Sequence, residues 1–219
     1  MRSKLISTAD LFDEAGAEWA GKPGLTYLAG FALPLEQALL AAIEEVARAA
    51  PFRHMLTPGG QRMSVAMTNC GEVGWVTDRK GYRYDRLDPE TERPWPPLPA
   101  AIGQLAARAA MEAGFGRFLP DVCLINRYVP AARMSLHQDR DERDFSSPIV
   151  SVSLGLEATF LFGGLKRSDR PYRLPLVHGD VVVWGGAKRL AYHGVAPVAA
   201  GYHPTLGAMR LNLTMRKAL

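Results

Sequence analysis

Ser135-Leu136-His137-Gln138-Asp139 places two metal-capable side chains inside the apolar/polar alternation of a strand. Residues i and i+2 of a strand point to the same face. His137 and Asp139 are therefore expected side by side, with His193 of Tyr192-His193-Gly194 closing the site from a second strand. Two histidines and one carboxylate make the facial triad of non-heme Fe(II) oxygenases. Three protein ligands leave three positions on an octahedral ion, enough for a bidentate cosubstrate and O2. A His-x-Asp tripeptide alone is weak support, because such tripeptides arise by chance.

The second half of the argument lies at the C-terminus. Met209-Arg210-Leu211-Asn212-Leu213-Thr214-Met215-Arg216 alternates: Leu211, Leu213 and Met215 on one face, Arg210, Asn212, Thr214 and Arg216 on the other. An edge strand with a solvated basic face would read the same way. Two arginines on one face also suit a ligand with two carboxylates, since guanidinium meets carboxylate bidentately. Asn126 and Tyr128 share a strand face in Leu124-Ile125-Asn126-Arg127-Tyr128. A small diacid fits this set, and 2-oxoglutarate is the diacid that facial-triad iron enzymes commonly use.

Eight short apolar or alternating runs follow Pro120, near 122–129, 133–138, 149–155, 158–162, 172–177, 180–184, 191–195 and 209–216. Gly, Pro, Asp and Ser separate them, as in a β-sandwich or barrel. Upstream, 34–50 reads as an amphipathic helix ended by Pro51, and 98–113 as a second helix stopped by Gly114. Between them the chain is rich in Gly, Pro, Arg and aromatics. Arg83 to Pro89 and Arg93 to Pro97 read as loop, and Trp75, Tyr82, Tyr84 and Trp95 argue against disorder. Residues 1–20 read as a loose N-terminal arm.

The chain has 219 residues, 47% of them apolar, and a net charge of +4. That suits one globular domain. There is no run of 18 apolar residues and no apolar core of a secretory signal at the N-terminus. The two cysteines, Cys70 and Cys123, have no metal-like spacing and read as buried thiols. A cytoplasmic monomer with no membrane association is the expectation. The positive charge is compatible with phosphate contacts to nucleic acid. His178-Gly179-Asp180 also reads His-x-Asp, but its glycine marks a turn; His54 and His203 lie outside any ligand pattern.

Several blocks together resemble the AlkB family of iron- and 2-oxoglutarate-dependent demethylases, in particular its bacterial DNA-repair members. They are Thr57-Pro58-Gly59-Gly60, Met63 to Gly71, Leu124 to Tyr128, His137 to Glu142, Ile149 to Gly155, Phe162 to Arg167, His178 to Gly186 and Arg210 to Thr214. The resemblance runs from near Phe12 to near Arg216. It implies a mainly β fold with flanking helices: a double-stranded β-helix, or jelly roll, over 120–219, carrying a helical support and nucleotide-recognition lid over 21–119. It implies Fe(II) on His137, Asp139 and His193. One carboxylate of 2-oxoglutarate would lie against Arg210 with Asn126 and Tyr128, and the other end near Asn212 and Arg216. Trp75 and His137 would sandwich the damaged base. Tyr82, Arg83 and Tyr84 would contact the nucleotide backbone, with Asp141 beside the base and Arg167 a further substrate contact. The implied activity removes alkyl groups such as those of 1-methyladenine and 3-methylcytosine from single- or double-stranded DNA, with RNA as an alternative, releasing formaldehyde, succinate and CO2. An oxygenase of the same iron site acting on a protein or metabolite differs only in the lid. A non-enzymatic jelly-roll module is the remaining alternative.

Overall fold

The computed structural model describes residues 24–219; the arm expected over 1–20 lies outside them. Twelve strands and two α-helices follow in order. They are β1 (Leu25–Leu28), α1 (Glu36–Ala49), β2 (Ala66–Gly71), β3 (Gly74–Asp78), β4 (Gly81–Asp85), α2 (Ala100–Glu112), β5 (Val122–Tyr128), β6 (Met134–His137), β7 (Ile149–Gly155), β8 (Ala158–Phe162), β9 (Tyr172–Leu176), β10 (Val181–Trp184), β11 (His193–Val195) and β12 (Arg210–Arg216). All eight runs after Pro120 become strands, within a residue or two of the expected bounds.

Two antiparallel sheets face each other. The larger has the order β1-β10-β7-β12-β5-β2, the smaller β6-β11-β8-β9. Alternation along each strand sorts the side chains. Val181, Val183, Leu211, Leu213 and Met215 pack outward against Leu39, Ile43, Val46, Ile102 and Leu105 of the two helices. Val182 and Trp184 point inward, against Phe160, Phe162, Leu174 and Val195 of the smaller sheet. This is the jelly-roll sandwich the sequence implied. β1 and β2 come from the N-terminal part of the chain, yet both lie in the larger sheet.

The helices have visible stop signals. Ala50 leaves α1 in an extended conformation, as the residue before Pro51 must. Gly114 follows α2 with φ +80°, a conformation that costs glycine little. Among the described residues, no helix is long and apolar enough to cross a membrane.

One alternative closes and two expectations change. β12 is not a solvated edge: it lies between β7 and β5, and all seven residues are buried. Arg83 to Asp85 is not loop but the second strand of the β3–β4 hairpin, in register Trp75↔Tyr84 and Val76↔Arg83. Tyr82 and Tyr84 alternate there with Arg83 and Asp85, a short period-two run with no aliphatic face to set it apart from the surrounding Gly-, Pro- and Arg-rich chain. Finally, β6 ends at His137, and Asp139 lies in the irregular segment beyond it. The two side chains nevertheless converge, His137 Nε2 lying 3.6 Å from Asp139 Oδ1.

One glycine ties the fold to the site. His193 pairs with His137 across β11 and β6. A Cβ on the next residue, Gly194, would sit 2.6 Å from the Met134 carbonyl oxygen. Gly194→Ala must push the two histidine-bearing strands apart, at an overpacking cost of about 1–3 kcal/mol. We expect a lowered Tm and weakened Mn(II) binding together, read by thermal unfolding and by metal titration.

Candidate active site

His137, Asp139 and His193 bring their ligand atoms within 4.8 Å of one another, the only such cluster of three among the described residues. His137 Nε2 lies 3.6 Å from Asp139 Oδ1, and His193 Nε2 lies 3.6 Å from Asp139 Oδ2. Each histidine turns its Nδ1 to a backbone carbonyl two residues earlier: Ser135 at 2.9 Å and Ala191 at 3.0 Å. A carbonyl only accepts, so Nδ1 carries the proton in each neutral ring. The Nε2 lone pairs are left facing the cluster, which is how a metal-binding imidazole is usually oriented. Burial, and then His193, push the pKa of His137 down to about 4, although 38% of its side chain is accessible. Its ring is thus neutral and able to ligate at pH 7. Burial alone would raise Asp139; Arg216, then His193 and His137, outweigh it and hold the carboxyl well below its usual range.

The polar face of β12 continues from the triad into the sandwich. Arg216 donates Nε to Asp139 Oδ2 at 2.7 Å. Asn212 donates to Ser151 Oγ and the Val152 carbonyl, both at 2.9 Å. It also accepts from Asn126 Nδ2 at 3.3 Å and from the Thr214 hydroxyl at 3.1 Å. Arg210 is 1% exposed. It donates Nη2 to Ser153 Oγ at 2.9 Å and lies over the Tyr128 ring at 5.0 Å. Among the described residues no carboxylate pairs with it, and burial lowers its pKa.

Arg210, Asn212, Thr214, Arg216, Asn126, Tyr128 and Ser151 line one cavity together with His137 and His193. Several of its buried polar atoms have no hydrogen-bond partner among the described residues: Arg210 Nε and Nη1, Arg216 Nη1 and Asn126 Oδ1. A buried unpaired guanidinium is costly. A diacid reaching from the triad to Arg210 would satisfy it, so the donor set fits 2-oxoglutarate and the triad fits a divalent metal.

The hairpin residues take distinct places. Trp75 stacks on Tyr82, with ring centroids 5.7 Å apart and planes 18° apart. Its indole Nε1 donates to Asp141 Oδ2 at 2.9 Å. Arg83 is paired within the hairpin, to Asp78 at 3.0 Å and Asp85 at 3.5 Å. Tyr84 turns inward and donates its hydroxyl to Glu142 Oε1 at 2.7 Å. Arg167 is exposed in the β8–β9 turn. Asn69 is a residue the sequence reading passed over. From β2 its side chain accepts from the Trp75 N–H and donates to the Trp75 carbonyl, both at 3.0 Å, fixing that strand as a backbone partner would. Ser151 and Ser153 were also passed over. Their signal was present: two hydroxyls at i and i+2 in the otherwise apolar Ile149–Gly155. Glu142 and Arg189 gave no such signal.

His178 stands apart from the triad. Its Nδ1 accepts from the Gly155 N–H at 2.9 Å, and its Nε2 lies 3.2 Å from Glu36. Gly179 has φ +91°, the turn conformation expected of it, and Asp180 accepts from Gly30 N, Tyr27 Oη and Val177 N.

A jelly roll with two histidines and a carboxylate at its mouth, and a buried unpaired arginine within, defines a facial-triad oxygenase. Comparison with known proteins agrees. The family model of the 2OG-Fe(II) oxygenase superfamily matches residues 24–216. The Alpha-ketoglutarate-dependent dioxygenase AlkB of Salmonella typhimurium is 56% identical over 210 residues, 95% of this chain and 97% of its own length. AlkB of Escherichia coli is 56% identical over 195 residues, 89% of this chain and 90% of its own. The solved structure of OsALKBH1 superposes with a TM-score of 0.79 at 26% identity, covering 90% of this chain and 97% of its own. The chain belongs to the AlkB family of the 2OG-Fe(II) oxygenase superfamily. It is a 2-oxoglutarate-dependent dioxygenase that uses Fe(II), 2-oxoglutarate and O2.

Proposed function

We propose that the chain is an oxidative demethylase of N-alkylated bases in nucleic acid, acting as a cytoplasmic monomer. In this reading His137, Asp139 and His193 hold Fe(II), and the chain divides into a support and lid over 21–119 and a catalytic jelly roll over 120–219. Arg210, Tyr128 and Asn126 take the far carboxylate of 2-oxoglutarate, while Asn212 and Arg216 act near the end that meets the metal. When bound, Fe(II) with 2-oxoglutarate and O2 supplies the oxidation of the alkyl group, leaving succinate and CO2 and, from a methyl group, formaldehyde. The protein binds and orients. Nδ1–H of His137 and of His193 stays hydrogen-bonded to its backbone carbonyl, so both Nε2 atoms remain available as ligands. The Ser151, Ser153 and Asn212 bonds keep the arginine-bearing face fixed, so a diacid is met by preset donors.

The observation that carries the substrate reading is the Trp75–Asp141 hydrogen bond. It sets an aromatic face and a carboxylate together, two residues beyond Asp139. Aromatic faces stack bases regardless of sequence. A base inside a duplex is out of reach, so it must be extruded or offered on a single strand. Tyr82, Arg83 and Tyr84 belong to the same hairpin, and Arg83 can exchange its exposed carboxylate partners for a phosphate. Arg167 lies on a second exposed turn suited to the same backbone. The name of the human relative, Nucleic acid dioxygenase ALKBH1, 33% identical over 127 residues, supports this substrate class. A mass-spectrometric screen of methylated DNA and RNA oligonucleotides with Fe(II), 2-oxoglutarate and ascorbate tests it. Succinate release with a protein or metabolite and none with any oligonucleotide would refute it.

Lesion choice follows from charge. Methylation at N1 of adenine or N3 of cytosine blocks pairing and leaves the base cationic. Extrusion is then cheaper, and a cation on a tryptophan face is favoured. A nearby carboxylate adds attraction that grows as water leaves. We expect 1-methyladenine and 3-methylcytosine to be preferred over neutral 3-methylthymine. Asp141→Asn keeps an acceptor for the Trp75 indole and should narrow that preference; Trp75→Ala should slow all three. Formaldehyde release from matched oligonucleotides reads the result, and equal wild-type rates on cationic and neutral lesions would remove the electrostatic argument.

A further inference from the structure

Asp139 does not hold Arg216 alone. Glu142 Oε1 lies 3.5 Å from Arg216 Nε, and Glu142 Oε2 lies 3.4 Å from Arg189 Nη2. Arg189 in turn donates Nη1 to the Asp139 backbone carbonyl at 2.8 Å and Nε to the Ser147 carbonyl at 3.1 Å. Arg216 therefore grips the carboxylate of Asp139 while Arg189 grips its backbone, and Glu142 bridges the two guanidiniums. The side chains of Glu142, Arg189 and Arg216 are 1%, 2% and 5% exposed, so this is a buried ring of two cations and two anions.

The ring has one further member, and it comes from the lid. The Tyr84 hydroxyl donates to Glu142 Oε1, the same oxygen that faces Arg216. In the pairing strand, Trp75 donates to Asp141. Each strand of the hairpin is thus bonded to one of two consecutive residues, two and three positions past Asp139. Hairpins on their own are marginal, so these two bonds, with the Asn69 clamp, set where this one sits.

From this we infer that Glu142 is a positioning residue that couples the metal site to the seating of the hairpin, with the Tyr84 hydroxyl as the link. The inference rests on Asp139 being a metal ligand. The physical reason is a shared acceptor: Glu142 Oε1 faces both Arg216 and the Tyr84 hydroxyl, so fixing it for one fixes it for the other. Asp139 Oδ2 lies 2.7 Å from Arg216 Nε and Nη2. A divalent ion drawing on Asp139 leaves Arg216 more dependent on Glu142, whose Oε1 is also the acceptor of Tyr84. Coupling of this kind is reciprocal: whatever holds the hairpin down also favours a filled site. Without the negative charge of Glu142, Arg216 and Arg189 would oppose the metal uncompensated.

Two variants separate hydrogen bond from charge. Tyr84→Phe removes only the hydroxyl. Glu142→Gln keeps an oxygen for Tyr84 and removes the charge. The measurements are Mn(II) titration and amide hydrogen exchange over Gly74–Asp85, each with and without Mn(II) plus 2-oxoglutarate. In wild type, filling the site should slow exchange in the hairpin. Tyr84→Phe should lose that slowing and, because the coupling is reciprocal, bind Mn(II) more weakly by the same factor, a smaller loss than in Glu142→Gln. Glu142→Gln should bind Mn(II) roughly 10–100-fold more weakly, the usual cost of losing a partner that orients a ligand. Slowing in Tyr84→Phe equal to wild type would overturn the link, and wild-type Mn(II) affinity in Glu142→Gln would overturn the positioning role. Should Glu142→Gln fail to fold, Tyr84→Phe decides. Wild type that binds no Mn(II) would overturn the ligand assignment itself, and the inference with it.

Discussion

Alanine at His137, Asp139 or His193 should each weaken Mn(II) binding by more than the roughly 10–100-fold that loss of an orienting partner costs, and abolish succinate release. Two ligands cannot hold a labile divalent ion firmly at a solvent-accessible mouth. The three variants should differ in stability, however. His137→Ala and His193→Ala remove rings that each donate one Nδ1–H hydrogen bond to a backbone carbonyl. Asp139→Ala strips a carboxylate from a buried Arg216, and breaking such a pair costs about 3–5 kcal/mol. Its metal-free Tm should therefore fall while those of the histidine variants fall less. The pH dependence follows the same pair. Asp139 has its folded pKa held well below that of a free aspartate, about 3.9. Its contribution is present in full above that unfolded value and is lost as pH falls toward the folded one. The gap between wild type and Asp139→Ala should be constant near neutrality and close on acidification below about pH 4. His178→Ala should keep its metal, because His178 is engaged by Gly155 and Glu36 away from the triad. Metal loss there with retention in His137→Ala would overturn the ligand assignment.

The eight strands of the jelly roll were legible because a strand with one face on a core announces itself by period two. β10 is the exception, legible as a continuous apolar run because both its faces are buried: Val181 and Val183 face the helices, Val182 and Trp184 the other sheet. Stop signals at Pro51 and Gly114 set the helix ends for equally local reasons. The site was legible where residue chemistry is scarce, as with paired histidines and arginines in alternating runs. It was illegible where tertiary position alone assigns meaning. Burial of β12 cannot be read from Arg-x-Asn-x-Thr-x-Arg, because an edge strand has the same pattern. Glu142 sits in a run of charges, Arg140-Asp141-Glu142-Arg143, whose members look alike in sequence; in the fold Glu142 is buried between two arginines while Asp141 reaches the indole of Trp75. The β3–β4 hairpin escaped notice because its residues answer to Asn69, Trp95 and Glu142 rather than to one apolar face.

Arg210→Met should move stability and cosubstrate affinity in opposite directions. Among the described residues the buried Arg210 guanidinium meets the Ser153 hydroxyl and the Tyr128 ring, and Nε and Nη1 have no partner. Methionine is of similar length, carries no charge to desolvate and adapts to irregular space. The Tm without ligands should accordingly hold or rise. The opposite follows once 2-oxoglutarate is present. In wild type its far carboxylate meets a preset cation out of water, and loss of one partner of such a pair costs about 3–5 kcal/mol. At 1.4 kcal/mol per decade that is roughly two to three orders of magnitude in apparent affinity. A ligand at about 100 times its Kd stabilises by about 2.7 kcal/mol, so the shift that 2-oxoglutarate adds to Mn(II)-loaded wild type should be several degrees. In Arg210→Met the same concentration should add almost none. Mn(II) binding by itself should be unchanged, because Arg210 makes no contact with the triad, and that separates a lost anchor from a damaged metal site. An unchanged requirement for 2-oxoglutarate would mean that the diacid ends elsewhere. The unpaired Arg210 would then be a cost the fold carries for some other anion.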